Sequence, residues 1–126
     1  MRFLLVDDET KVCSALRLML EQEPDWHVTT EISETESLLA YFEKMNGGKD
    51  AGEDRIVLLL DWELPGLNRD KVLPVLRKKR PDIRIVALSA RSYNRPDALE
   101  LGVDAFISKN DPPDEMMSTL HALVEN

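Results

Sequence analysis

The sequence predicts an α/β fold of the doubly wound type, in which helices cover both faces of a parallel sheet. Short continuous apolar runs alternate along the chain with longer segments of helical apolar spacing. Continuous apolar strands are typical of parallel sheets, because the crossover helices bury both faces. A length of 126 residues suits one hydrophobic core, and we expect residues 1–126 to form a single domain.

Five short segments are the predicted strands, and a polar residue follows each; four are apolar runs, and the second alternates between apolar and polar residues. In chain order they cover residues 3–6, 26–32, 56–60, 83–88 and 105–108. The third run consists of five branched apolar residues, which makes it the most strand-like segment of the chain. We therefore expect it to form the central strand.

Five segments with helical apolar spacing follow these strands. They cover residues 10–23, 33–45, 69–79, 96–101 and 112–124. Ser33 with Glu36 has the pattern of a capping box that opens the second helix, and a polar loop to Asp54 follows that helix. Pro74 lies inside the third helix, which we expect it to bend or interrupt.

Composition and charge exclude several function classes. Sixteen Lys and Arg against 24 Asp and Glu give a net charge of −8, and a surface that follows nucleic-acid phosphates needs the opposite sign. The single cysteine, Cys13, excludes an internal disulfide and a cysteine-based zinc cluster. Since the sequence has neither a membrane-length apolar run nor a secretory signal, we expect a cytoplasmic protein without membrane contact.

Polar side chains follow four of the five predicted strands. Functional groups in open parallel sheets gather at the carboxyl ends of the strands, so these side chains are expected to converge on one edge. They are three acids after the first strand, one acid after the third, a hydroxyl after the fourth and an ammonium group after the fifth: Asp7, Asp8, Glu9, Asp61, Ser89 and Lys109.

The chemistry of this set indicates a hard metal ion and phosphoryl transfer. Crowded carboxylates are costly unless a cation lies among them, and oxygen ligands without His or Cys favour Mg²⁺ or Mn²⁺ over zinc. A carboxylate can also act as a nucleophile toward a phosphoryl group, whose charge a metal and a lysine would neutralise. Asp61 is the best nucleophile candidate, because it stands alone after the central strand.

Four motifs resemble the receiver domain of two-component response regulators, the CheY-like family. They are Leu-Val-Asp-Asp-Glu at 5–9, Leu-Leu-Asp-Trp-Glu-Leu-Pro-Gly at 59–66, Ala-Leu-Ser-Ala at 87–90 and Gly-Val-Asp-Ala-Phe-Ile-Ser-Lys at 102–109. The resemblance covers essentially the whole chain and implies a (βα)5 fold with the flavodoxin-like strand order 2-1-3-4-5. Residues 108–113 resemble the LuxR/NarL-type subfamily; its DNA-binding domain is not seen, which indicates a truncated or stand-alone receiver.

The resemblance also implies how the acids act. A sensor histidine kinase would transfer a phosphoryl group to Asp61 in a magnesium-dependent reaction. Asp8 would bind the metal directly and Asp7 mostly through water, while Asp61 and the backbone carbonyl of Glu63 would complete the site. The protein would then be a signalling domain that catalyses only its own phosphoryl transfer and autodephosphorylation.

Further implied roles concern the response to phosphorylation. Ser89 and Lys109 would sense the phosphoryl group, and Phe106 occupies the position of the switch aromatic. Their movement would remodel the face made of helix 4, strand 5 and helix 5. Asn110 stands where the family usually has a proline preceded by a cis peptide bond, so the backbone after Lys109 is expected to differ.

Two charged residues suggest a hypothesis of their own. Glu63 lies two residues after Asp61, and Arg91 two residues after Ser89, so both should flank the phosphorylation pocket. A charge pair across the pocket mouth would hinder attacking water and lengthen the phosphoryl lifetime; the alternative is two solvated side chains. Trp62, next to Asp61, is expected either to shield the site or to contact a partner.

A homodimer is expected through helix 1 and helix 5, or through the face of helix 4, strand 5 and helix 5. For the first surface, Leu18 and Leu20 lie off the predicted buried stripe of helix 1, and the adjacent Met116 and Met117 cannot both face the core. Scattered exposed apolar residues would be the ordinary alternative.

Three rival functions share parts of this pattern. A flavodoxin needs a Ser/Thr/Gly-rich phosphate loop after the first strand, where this chain has Asp-Asp-Glu. A haloacid-dehalogenase-type phosphatase needs Asp-x-Asp at the same place. The serious alternative is a phosphorylation-independent pseudo-receiver that acts as a protein-binding module, although such domains usually lack an acid or the lysine.

Overall fold

A computed structural model describes residues 1–45 and 55–125, and within these ranges five strands form one sheet. The strands are β1 (Arg2–Val6), β2 (His27–Ile32), β3 (Ile56–Asp61), β4 (Arg84–Ser89) and β5 (Ala105–Ser108). Their order across the sheet is β2-β1-β3-β4-β5, and every neighbouring pair is parallel. Both the predicted fold class and the strand order implied by the resemblance are confirmed.

Within the same ranges, five α-helices follow the strands. They are α1 (Thr10–Leu20), α2 (Thr35–Glu43), α3 (Arg69–Lys79), α4 (Arg95–Glu100) and α5 (Pro113–Val124), and a 3-10 turn at Ser92–Asn94 leads into α4. No helix in the described part of the chain is both long and apolar enough to cross a membrane. The predicted polar loop that ends at Asp54 lies outside the described residues.

Two local predictions for the helices are wrong. The capping box does not form, because Glu34 rather than Ser33 is the N-cap of α2 and makes no side-chain capping bond. The hydroxyl of Thr35 instead donates to the carbonyl of Pro65 at 3.1 Å, which ties α2 to the loop after β3. Interruption of α3 by Pro74, one of its two expected effects, is also wrong: the helix is continuous, and Pro74 lies on its exposed side, where water can replace the missing helical bond.

The surface predicted for a dimer through α1 and α5 is smaller than the sequence suggests. Leu18 is 75% exposed, but Leu20 is fully buried, so the placement of Leu20 outside the buried stripe is wrong. Leu20 belongs to the same core cluster as Trp26, which lies between α1 and β2 in the chain. Met116 is buried and Met117 is partly buried against that cluster.

Successive residues of each central strand pack alternately into two separate core layers. On β3, Leu58 and Leu60 pack in one layer, while Val57 and Leu59 pack in the other. All six residues of β3 are buried, and each buried aliphatic side chain contributes about 2 kcal/mol of transfer free energy. The strand that ends at Asp61 is therefore the best anchored in the sheet.

Strand register brings the predicted functional positions to one edge. The last pairs of three ladders are Val6 with Leu60, Asp61 with Leu88, and Ser89 with Ser108. Since these pairs lie at the carboxyl ends of their strands, the residues that follow them emerge together. The backbone N–H of Lys109 also donates to the carbonyl of Ser89 at 2.7 Å, which fixes the start of the lysine's loop.

Candidate functional site

Three carboxylates meet at this edge of the sheet. Asp7 and Asp8 follow β1 and Asp61 ends β3, and oxygens from all three lie within 4.8 Å of one another. Asp7 and Asp61 are each only 3% exposed, whereas Asp8 is open to solvent. This donor set, made only of hard oxygens, fits Mg²⁺ or Mn²⁺ and offers nothing that selects zinc.

Lys109 places a positive charge against these acids. Its ammonium nitrogen lies 2.8 Å from Asp7 Oδ2, 3.3 Å from Asp61 Oδ1 and 3.3 Å from Glu9 Oε1. The structure thus brings Lys109 from the end of β5 across the sheet edge to the acids of β1 and β3. Its charge offsets part of the repulsion between the two buried carboxylates.

Short backbone turns hold the two buried acids in place. The N–H of Glu9 donates to Asp7 Oδ1 at 2.8 Å, and the N–H of Glu63 donates to Asp61 Oδ1 at 3.1 Å. Each bond joins an aspartate to the N–H two residues later, a local pattern that aspartate adopts readily at turns. Both side chains are therefore oriented by their own loops.

Burial and charge set the protonation of Asp61 and Lys109. Desolvation, together with the charge of Asp7, raises the pKa of Asp61 to about 6, although the Glu63 N–H and Lys109 oppose this. Desolvation alone would lower the pKa of Lys109, but its contact with Asp7 and the charges of both acids outweigh burial and raise it. Lys109 consequently remains a cation, and Asp61 is mostly ionised above neutral pH.

A second network surrounds Ser89, which is fully buried at the end of β4. The Ser89 hydroxyl lies 2.6 Å from Glu63 Oε2, so that a carboxylate contacts the hydroxyl directly. Glu63 also accepts from the N–H of Ala90 and from the side-chain amide of Asn94, each at 3.1 Å. The Arg91 guanidinium lies 4.0 Å from Glu63 and its side chain is 56% exposed, so this ion pair is weak.

The two aromatic residues singled out near the site are both buried. Phe106 on β5 packs in the same core layer as Ala87 and Ala98. Trp62 is fully buried, and the Arg69 guanidinium lies 4.7 Å above its ring while its Nε donates to the Trp62 carbonyl at 2.9 Å. Direct contact between Trp62 and a partner, one of its two expected roles, is therefore wrong for this structure.

The backbone after Lys109 follows its own path. No peptide bond in the described residues is cis. Asp111 accepts from the N–H of Ser108 at 3.1 Å, and the Asn110 amide donates to the carbonyl of Ala90 at 3.2 Å. Asn110 thereby links the loop after β5 to the loop after β4.

Sequence reasoning missed the roles of Asn94 and Asn110 in these networks. Both are polar loop residues; no spacing or motif marks Asn94, and Asn110 is marked only by the absence of the family's usual proline. The contact between Glu63 and Ser89 was also missed, although placing both residues after neighbouring strands could have suggested it.

The raised pKa of Asp61 predicts a pH-dependent effect of Asp61→Asn on stability. The protonated form contributes stability that is fully present below the unfolded pKa, about 3.8, and is lost as pH rises through about 6. In EDTA, the free energy of unfolding of Asp61→Asn relative to wild type should therefore rise by about 2 to 3 kcal/mol between pH 4 and pH 7.5. Urea denaturation at both pH values measures this, and an equal difference at both would contradict it.

Comparison with known proteins shows similarity to longer regulators. The chain is 28% identical over 120 residues to the nitrate/nitrite response regulator protein NarL of Escherichia coli, covering 94% of this chain and 52% of NarL. It is 29% identical over 128 residues to the cell cycle response regulator CtrA of Brucella ovis, covering 98% of this chain and 50% of CtrA. The chain thus spans about half the length of these relatives.

Solved structures share the fold. The isolated REC domain of RcsB from Salmonella enterica serovar Typhimurium, determined with the phosphomimetic BeF3−, has a TM-score of 0.80 at 21% identity, covering 100% of this chain and 89% of the other. A LuxR-family two-component response regulator from Aurantimonas has a TM-score of 0.74 at 23% identity, covering 99% and 86%. The family described as the response regulator receiver domain matches residues 3–121. From this match over nearly its whole length, the chain belongs to the response regulator receiver domain family.

Proposed function

We propose that this receiver domain accepts a phosphoryl group on Asp61. The observation that carries the proposal is the position of the Asp61 carboxylate, buried at the end of the central strand between two further acids and Lys109. A sensor histidine kinase is the proposed donor, which implies a cytoplasmic location. An Asp61 oxygen forms a bond to phosphorus as the phosphorus–nitrogen bond of the phosphohistidine breaks, and the imidazole nitrogen keeps the electron pair.

In this proposal Mg²⁺, or Mn²⁺, is held by Asp7, Asp8, Asp61 and the backbone carbonyl of Glu63. When bound, the metal neutralises charge on the transferring phosphoryl group. The protein's own part is to keep Asp61 ionised and oriented, since the Glu63 N–H and Lys109 both contact its Oδ1. Lys109 would then exchange its contact with Asp61 for one with a phosphoryl oxygen.

Ser89 and Phe106 are proposed to carry the response. The Ser89 hydroxyl would turn to a phosphoryl oxygen, and the vacated space would let Phe106 repack within its core layer. Phe106 has no hydroxyl, so its movement acts by packing alone. The proposed result is a changed surface on α4, β5 and α5. Leu99 of α4 is exposed there, as are Tyr93 and Leu101, which flank this helix.

Partners beyond the kinase follow from exposed apolar residues. A homodimer is proposed either through the surface of α4, β5 and α5 or through α1 and α5, where Leu18 is exposed.

The alternative function is a phosphorylation-independent binding module. We favour the phosphoacceptor, because the acids and the lysine lie in one cluster whose charges have no evident use in a module that binds by shape alone.

Incubation with acetyl phosphate and Mg²⁺ should add one phosphoryl group to the wild-type protein and none to Asp61→Asn. The reason is that Asp61 is the proposed nucleophile and the metal is needed to neutralise the transferred charge. Intact mass spectrometry measures the adduct, and EDTA should abolish it. An adduct on Asp61→Asn would place the acceptor on another residue and overturn the role of Asp61. No adduct on the wild type with either acetyl phosphate or a kinase would favour the binding module.

The proposed pair of Glu63 and Arg91 predicts a shorter phosphoryl lifetime for Arg91→Ala. Once phosphorylated, the protein would keep this pair across the pocket mouth, where it hinders attacking water. Since the arginine is mostly exposed, we expect a modest change of about two- to threefold in the hydrolysis rate. Loss of the phosphorylated species on Phos-tag gels measures it, with Arg95→Ala as the control for lost charge; equal rates would leave the two residues as solvated side chains.

A further inference from the structure

The Glu63 side chain leads to an inference that rests on the proposed function and goes beyond it. We propose that Glu63 acts as a latch in the unphosphorylated state. Its carboxylate binds the Ser89 hydroxyl, which a phosphoryl group on Asp61 would need, and this hydrogen bond must break before the phosphorylated state can form. Glu63 would thus be a positioning residue that limits spontaneous switching.

The Ser89 hydroxyl can donate to only one acceptor at a time. Ser89 Oγ has two acceptors in reach, Glu63 Oε2 at 2.6 Å and the carbonyl of Arg91 at 3.1 Å. A hydroxyl carries one proton, and a short bond to an ionised acceptor is the stronger of the two. The proton of Ser89 is therefore committed to Glu63, and a phosphoryl oxygen can obtain it only by displacing the carboxylate.

Ser89 has two further hydrogen-bond partners, both of them donors to its oxygen. Its oxygen accepts from the N–H of Arg91 at 3.0 Å, and the Asn94 amide lies within 3.3 Å of it. The same Asn94 amide donates to Glu63, so carboxylate, hydroxyl and amide form a closed set. Since Ser89 is fully buried, no water can replace a lost partner without a rearrangement.

The latch holds the segment between β4 and α4. Glu63 lies on the loop after β3, whereas Ala90 and Asn94 belong to the segment between β4 and α4. The Glu63 carboxylate thus holds the segment that leads into α4 by two hydrogen bonds. Release of Glu63 would free the backbone at Ala90 and the residue that precedes α4, which couples the site to the surface proposed to change.

Glu63 and a phosphoryl group compete for the Ser89 hydroxyl, and this competition sets the direction in which Glu63 variants change the binding of a phosphoryl mimic. A phosphoryl group and Glu63 are both anionic acceptors for the same proton, so each weakens the binding of the other. Removing the latch should strengthen binding of a phosphoryl mimic by roughly tenfold, the scale of one charge-assisted hydrogen bond.

The test measures the Kd of beryllofluoride in excess Mg²⁺ by isothermal titration calorimetry for wild type, Glu63→Ala and Glu63→Asp. Glu63→Asp keeps the charge but shortens the side chain by one methylene, so it breaks the latch without removing a negative charge. Glu100→Ala, which removes the same charge from the exposed end of α4, serves as the matched control and should leave Kd unchanged.

A double-mutant cycle separates the latch from simple charge repulsion. In a Ser89→Ala background the latch is already absent, so Glu63→Asp should leave the Kd of beryllofluoride unchanged there. If the Kd of beryllofluoride falls only with Glu63→Ala, or still falls with Glu63→Asp in the Ser89→Ala background, the effect is charge repulsion between Glu63 and the mimic, and the latch is overturned.

Failure of the latch and failure of the proposed function give different results. Equal Kd values for the wild type and both Glu63 variants would overturn the latch and leave the phosphoacceptor proposal standing. No binding by the wild type or by either Glu63 variant would overturn both. As a readout without metal or mimic, the Ala90 amide, which donates to Glu63, should exchange its hydrogen faster in Glu63→Asp; unchanged exchange would also count against the latch.

Discussion

The ammonium group of Lys109 contacts both buried acids of the site, at 2.8 Å from Asp7 and 3.3 Å from Asp61, and the arrangement around it depends on that contact. Two carboxylates that are each only 3% exposed could not both stay ionised there without a cation nearby. The raised pKa of Asp61, about 6, shows that Lys109 offsets the cost only in part. The site is therefore electrostatically incomplete and suited to a further divalent cation, the basis of the proposed metal dependence.

The parallel sheet supplies the geometry that this electrostatic arrangement needs. Asp7, Asp61 and Lys109 come from three strands, and their convergence follows from strand order and register more than from any local motif. Ser89 lies at the same edge but is held by Glu63 instead of by the acids. The edge thus contains two neighbouring networks, one for charge and one for the hydroxyl, joined through the short loop from Asp61 to Glu63. Under the proposed function, phosphorylation would act on both at once.

Apolar runs predicted four of the five strands, because a strand buried on both faces has few polar residues to interrupt it. The exception is β2, which was predicted from its alternation of apolar and polar residues and whose burial also alternates. The convergence of Asp7, Asp61 and Lys109 followed from the same reasoning, since carboxyl ends of parallel strands share an edge. Details that depend on side-chain rotamers and loop paths were beyond the sequence: the bond between Ser89 and Glu63 is one example. Leu20 was misjudged because helical periodicity takes no account of the chain beyond the helix, where Trp26 joins the same core cluster.

Lys109 holds together an acidic cluster suited to a divalent cation, and thermal unfolding of Lys109→Met at pH 7.5 tests this role most directly. In EDTA the variant should be less stable than wild type by about 3 kcal/mol, because two buried acids lose their cation. Saturating Mg²⁺ should then raise the unfolding midpoint of the variant more than that of wild type, since the metal takes over the lost charge. An equal rise in both proteins, or no effect of Mg²⁺ on either, would contradict the account.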